Sequence, residues 1–265
     1  MKNEEKCIIC EKIANAKNSH IVPMNLIKEC IGERHNEISY NLNISQNAVD
    51  REIYIGDAIK HKEEELNDKK LKLVDFNPYT LDNILCITCE KKLGEKEGKV
   101  YSEIICKIRD EKHKNNFKHM NYSKFDALIP VLKKITKNDL DIYFYSIILR
   151  FYKQMNINKL ETNIKEETIL SIKNYLNSNL YQPSNNSEDL KCGLIVYVTN
   201  NPKKFPTIME TNLFNKLIIP CCHFFIVLEE NKTETPFGNC INLVSDPEFK
   251  FLKNSIELDE AFSII

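Results

Sequence analysis

The sequence predicts an α+β protein, on two changes of pattern along the chain and one cluster of residue types. Residues 139–154 are apolar on nearly every face of a helix, and residues 165–178 are amphipathic at helical spacing. After a Ser- and Asn-rich break at 182–189 the period changes. Stretches 193–199, 217–228 and 240–244 then read as β-strands separated by turn residues. Ahead of both lies a cysteine-bearing segment. The expected order is an N-terminal domain over 1–110, a basic linker over 111–138, and an α+β region over 139–265. That last region starts with helices and ends in a small antiparallel sheet.

Taken in order, residues 1–22 form a short cysteine-bearing segment ending in Ser19-His20-Ile21-Val22-Pro23. A helix follows with Leu26, Ile27, Cys30 and Ile31 on its apolar side. Residues 34–48 are polar and read as loop. The charged stretch 53–73, centred on Lys60-His61-Lys62-Glu63-Glu64-Glu65, reads as an exposed helix or an inserted lobe. Pro78 marks a turn. A helix from about Cys89 to Ile108 would bury Leu93, Val100, Ile104 and Ile105. Residues 112–137 carry seven lysines and one aspartate, with His113 and His119 among them, and read as a solvated helix and loop. In the apolar helix that follows, Arg150 needs a buried partner or a route to water. Pro220 and the region of Asn239 are expected at strand ends or edges.

The bulk properties exclude several classes. An apolar fraction of 42% over 265 residues supports a packed core. A net charge of -1 argues against a protein that coats nucleic acid non-specifically, while leaving room for a local basic patch at 112–137. The polar, charged start is unlike a signal peptide, and no stretch approaches the ~20 apolar residues of a membrane span. The expectation is a cytoplasmic protein with no membrane partner, whose ten cysteines stay reduced.

Those cysteines include two C-x-x-C units, Cys7-Ile8-Ile9-Cys10 and Cys86-Ile87-Thr88-Cys89. The spacing lets two thiolates of one turn reach the same tetrahedral ion at ~2.3 Å, so two such units predict a four-thiolate structural zinc site. The long connection between them is tolerated because loop-closure entropy grows slowly with length. The alternatives are two separate reduced pairs in a core, or a redox dithiol, though neither pair lies in a βαβ pattern. Cys30, Cys106 and Cys192 read as small buried hydrophobes. A second metal site from Cys221, Cys222, His223 and Cys240 lacks chelating spacing, since adjacent strand residues face opposite ways.

In these residues the chain resembles the HNH (His-Asn-His) nuclease superfamily, whose zinc-bound members have a treble-clef, ββα-metal core. The resemblance covers about the first 105 residues. It rests on Cys7/Cys10, Ser19-His20-Ile21-Val22-Pro23, Asn83 and Cys86/Cys89-Glu90, with Tyr145-Ser146-Ile147-Ile148-Leu149-Arg150 further on. The wording is closest to a bacterial group of HNH-like proteins. The resemblance implies His20 as general base toward water attacking a phosphodiester, with Mg or Mn held partly by Glu90 and Asn83 orienting the His20 loop. The chain departs from the pattern at Ser19, where many active relatives carry a metal-binding Asp, and a hydroxyl is a much poorer ligand for such an ion. Glu90 replaces the usual Asn or His, and would also suit the start of a helix. Two functions follow: a metal-dependent nuclease acting on DNA or RNA, with the basic segment on phosphate, or an inactive zinc-stabilised module binding protein or nucleic acid, with a bacterial defence role implied by the resemblance.

Overall fold

The computed structural model describes residues 5–26, 39–41, 52–54, 80–107, 117–122, 125–130, 134–157, 164–181, 190–198, 209–211, 216–221, 224–229 and 241–245. They form an α+β arrangement with a four-cysteine cluster near the N-terminus. The N-terminal part contains β1 (Ser19–His20), β2 (Ser39–Asn41), β3 (Glu52–Tyr54) and β4 (Thr80–Leu81). β1 pairs with β4, Ser19 opposite Leu81 and His20 opposite Thr80, and β2 pairs with β3. Residues 39–41, expected as loop, are thus a strand. The helix expected after Pro23 begins at Met24, and Leu26 is fully buried. Its expected apolar positions Ile27, Cys30 and Ile31, like most of 53–73, lie outside the described residues.

Among the described residues, three helices follow the N-terminal strands: α1 (Ile87–Glu103), α2 (Lys137–Ile157) and α3 (Glu166–Tyr181). α1 starts two residues earlier than the apolar spacing suggested, and a 3-10 turn at Ile105–Lys107 takes its C-terminal end. Its buried face is as expected, with Leu93, Val100, Ile104 and Ile105 inside. α2 is buried on every side, Ile142 to Ile148 having essentially no exposed surface, as its apolar circumference requires. Its start is fixed by a reciprocal cap: Thr136 N–H donates to Asp139 Oδ2 at 2.9 Å, and Asp139 N–H to Thr136 Oγ1 at 3.2 Å. Asp139 also accepts from Lys96 and, at 3.2 Å, from Lys99, so the cap fastens α2 to α1. α3 lies against α2, with Tyr145 and Tyr175 edge-to-face at 5.9 Å.

The C-terminal sheet differs from expectation in size and membership. It has seven strands in the order β5-β6-β11-β7-β10-β9-β8, antiparallel except where β11 runs parallel to β7. The strands are β5 (Phe117–Tyr122), β6 (Phe125–Pro130), β7 (Gly193–Val198), β8 (Met209–Thr211), β9 (Lys216–Cys221), β10 (Phe224–Glu229) and β11 (Ile241–Ser245). Where a basic linker was expected, residues 117–130 form a hairpin whose second strand pairs with β11. The lysines of 112–137 hid this hairpin, because they were read as the mark of a solvated segment. The single strand expected over 217–228 is two strands paired as a hairpin. Pro220 lies in β9 beyond the part paired with β8, which ends at Ile218, so its missing N–H removes no bond from that ladder. Leu194 and Val196 of β7 oppose Leu228 and Ile226 of β10, and all four are buried in a core continuous with that of the helices. Among the described residues, no helix is long and apolar enough to cross a membrane.

Two aspartates near the start of α2 respond to pH in opposite senses. Burial would raise Asp139, but hydrogen bonds from Lys96, Thr136 N–H and Lys99 outweigh it and hold the carboxyl down at about 2. Burial raises Asp141 from 3.8 to about 6, against the weaker pull of Lys137 and the Tyr175 hydroxyl. A depressed acid adds stability above its unfolded value and loses it as pH falls; a raised acid loses stability as pH climbs through its folded value. Asp141→Asn should therefore gain stability relative to wild type as pH rises from 4 to 7, with most of the gain reached by about 6. Urea unfolding midpoints of the two proteins across that range measure the difference.

Candidate metal centre

The two cysteine pairs sit on two backbone devices that interlock. The first is a tight turn closed by Cys7 N–H to Lys12 O at 2.7 Å and Glu11 N–H to Cys7 O at 3.0 Å, flanked by a bridge between Lys6 and Ile13. Glu11 takes a left-handed φ of 61°, which lets the chain reverse just after Cys10. The second pair straddles the start of α1. Cys86 is the N-cap, its Sγ accepting Cys89 N–H at 3.4 Å, and Asn15 Oδ1 accepts Ile87 N–H at 3.1 Å. Two of the helix's unpaired amides are thus met by side chains, one from each half of the site.

Backbone bonds stitch these devices together across more than 60 residues of sequence. Ile8 N–H donates to Ile84 O, Asn15 and Ala16 N–H to Leu85 O, and Asn83 N–H to Ala16 O. Asn83 has a left-handed φ of 56°, a conformation its side chain tolerates better than most. Asn18, also left-handed, donates its N–H to Asp82 Oδ1 at 2.8 Å. Asn83 therefore serves the turn ahead of the second pair through its backbone.

All four sulfurs lie within 4.8 Å of one another, and those of Cys10 and Cys86 are 3.6 Å apart. A tetrahedron with bonds of ~2.3 Å has edges of about 3.8 Å, so a small contraction would let the four cysteines hold one metal ion. The titration of the free thiols points the same way. Cys7 is lowered to about 4, chiefly by a hydrogen bond from Cys89, whereas Cys89 is pushed up by that same bond and by burial, and Cys10 by burial first. Four thiolates this close cannot all ionise without a cation among them. Cys7, Cys86 and Cys89 are buried and Cys10 is half-buried, so most of the centre is shielded from solvent. Of the other cysteines, Cys192 is buried as expected. Cys106 is exposed, its thiol turned back to Ser102 O at 3.3 Å, because the helix it was expected to continue has already given way to the 3-10 turn. Cys30, His113, Cys222, His223 and Cys240 lie outside the described residues.

Beside this centre, Arg150 finds the partners its burial demands. It is 2% exposed, and its guanidinium donates to His20 O at 2.5 Å, to Glu97 Oε1, and to Ser146 through Nε to the carbonyl at 3.0 Å and Nη2 to Oγ at 2.9 Å. Glu97 lies two turns beyond Glu90 on the same face of α1. Burial raises its pKa, Arg150 opposes that rise, and the Glu90 carboxylate adds to it. Burial, then the Arg150 charge, lowers His20 below its usual 6.5, which keeps the imidazole neutral at pH 7. Ser19 is completely buried, and its Oγ and Glu90 Oε2 are buried without a hydrogen-bond partner. Among the described residues, the four cysteines are the one group of three or more His, Cys, Asp and Glu placed to share a metal ion; His20 and Glu90 belong to no such group.

Sequence reasoning gave no role to Glu97 or Asn15, and named Ser146 only within the stretch Tyr145 to Arg150 that carries the resemblance. The seven-residue interval from Glu90 to Glu97 was a readable signal for Glu97; nothing in the pattern marked Asn15. Comparison with known proteins finds no matching family model, no similar curated protein and no similar solved structure.

Replacing Arg150 by Met leaves Glu97 buried without its counter-charge and frees the His20 carbonyl. Removing one partner of such a pair costs about 3–5 kcal/mol. Chemical denaturation should show a loss of that order for Arg150→Met, and the double variant Arg150→Met/Glu97→Gln should recover a large part of it.

Proposed function

We propose that this chain is a zinc-stabilised, HNH-like binding module in which the hydrolytic function is absent. The treble-clef reading is supported by the order of parts: a cysteine turn, the short β1/β4 pairing, then a helix whose first turn carries the second cysteine pair. Zinc suits four thiolates in a closed tetrahedral site, where it contributes folding energy and offers no open position for chemistry.

The observation that carries the non-hydrolytic reading is Arg150. Its cation already sits among the His20 carbonyl and the acidic face of α1, the surroundings in which the HNH resemblance implies a divalent ion. A fixed guanidinium paired with Glu97 repels a second cation. Ser19 adds no carboxylate. On the outer side of the cysteine turns, Ile13 is 57% and Ile87 61% exposed beside a shallow hollow shared with Lys12, Asn15 and Thr88. With a net charge of -1, that apolar rim favours a protein partner over nucleic acid.

One observation favours the nuclease reading instead. Glu90 Oε2 is buried and unpaired, and a divalent ion would satisfy it. A cleavage assay on DNA and RNA with Mg²⁺ or Mn²⁺ separates the two. The binding-module reading expects wild type and His20→Ala to be equally inactive, whereas cleavage by wild type that vanishes in His20→Ala would establish the nuclease. Metal analysis should return about one zinc per chain, and Cys86→Ser, which removes a ligand while a serine can still cap α1, should lose metal and fold together.

A further inference from the structure

The metal centre has a neighbour from a distant part of the chain. Tyr181, the last residue of α3, places its hydroxyl 2.9 Å from Cys89 Sγ, across 92 residues of sequence. Its ring is held by Lys92 of α1, whose Nζ stands 4.4 Å from the ring centroid. Eight residues earlier on α3, Lys173 pairs with Glu11 at 2.5 Å, just past Cys10. α3 thus touches both cysteine turns, one at a sulfur and the other at the residue that reverses the chain.

We propose that Tyr181 is a positioning residue of the metal centre, donating its hydroxyl proton to the Cys89 thiolate and so coupling metal retention to the seating of α3. A metal-bound thiolate is a charged acceptor, and a hydroxyl donor aimed at it stabilises the bound form more than the free one. The same bond orients Cys89 for the ion, as partners behind metal ligands commonly do. The sulfur has two lines of support: Cys89 N–H to Cys86 Sγ fixes the chain, and Tyr181 fixes the side chain. Through this contact, the end of the helical region reads whether the N-terminal centre is loaded. This inference rests on the four-thiolate metal reading above.

The test uses cobalt(II) as a spectroscopic probe and zinc competition against a chelator, on the full chain. Wild type should show the sulfur-to-cobalt charge-transfer band of a four-thiolate site. Tyr181→Phe keeps the ring over Lys92 and should keep that band at one metal per chain, but with its energy shifted and zinc held about 10–100-fold less tightly. Lys173→Met, which removes only the largely exposed ion pair with Glu11 and leaves both the hydroxyl and the seating of α3 in place, should bind zinc as wild type does. Equal zinc affinity and an unshifted band in Tyr181→Phe would overturn the role of Tyr181 while leaving the metal reading intact. An equal loss in Lys173→Met would assign the effect to helix docking and overturn the hydroxyl's part. Absence of the band in wild type would overturn the metal reading itself.

Discussion

Four sulfur atoms that share one small volume set how residues 7–16 and 83–89 are arranged. Their approach to within 4.8 Å requires that residues 7–16 and 83–89 run side by side. The hydrogen bonds from Ile8, Asn15, Ala16 and Asn83 are the means by which the backbone does so. Ile9, Ile21, Val22, Ile84 and Leu85, beside the four cysteines, are buried in the core shared with the helices. The left-handed residues Glu11, Asn18 and Asn83 all lie within or beside these turns. Each is a local cost accepted where the chain must reverse to aim a sulfur or the strand that follows it.

Arg150 extends that constraint into the rest of the molecule. It projects from the most thoroughly buried helix and ties together three elements: β1 through the His20 carbonyl, α1 through Glu97, and its own helix through Ser146. A buried cation is costly unless every donor is met, and here Nε, Nη1 and Nη2 are all used. The strut fixes the height of β1 against α2, and with it the setting of His20. Asp139, capping α2 while accepting from Lys96 and Lys99, fastens the start of α2 to the same turn of α1 that carries Glu97. The N-terminal centre and the helices are therefore joined by charge as well as by the continuous apolar core.

Much of this was legible in the sequence, for identifiable reasons. Two C-x-x-C units are a short-range signal with a fixed geometric meaning, so the convergence of Cys7, Cys10, Cys86 and Cys89 could be read directly. The need of Arg150 for a partner followed from its apolar surroundings, but the partner's identity did not, because it depends on how two helices are rotated against one another. The hairpin at 117–130 was hidden because the lysine content of 112–137 was read as the mark of a solvated segment. The sheet's parallel junction between β11 and β7 was hidden too, since pairing between strands more than 40 residues apart leaves no local trace. Tyr181 belongs to the same kind: its position at the end of an amphipathic helix gives no sign that a sulfur waits there.

If a metal ion in the four-thiol centre holds these segments together, amide hydrogen exchange before and after chelation shows it most directly. Metal removal should strip protection from residues 7–16 and 83–89, where Ile8, Ala16, Asn83 and Cys89 donate the bonds that frame the site. The core of α2 should keep most of its protection, because its burial does not depend on the ion. Exchange in 7–16 and 83–89 that is unchanged by chelation, with the metal shown to be gone, would contradict the account.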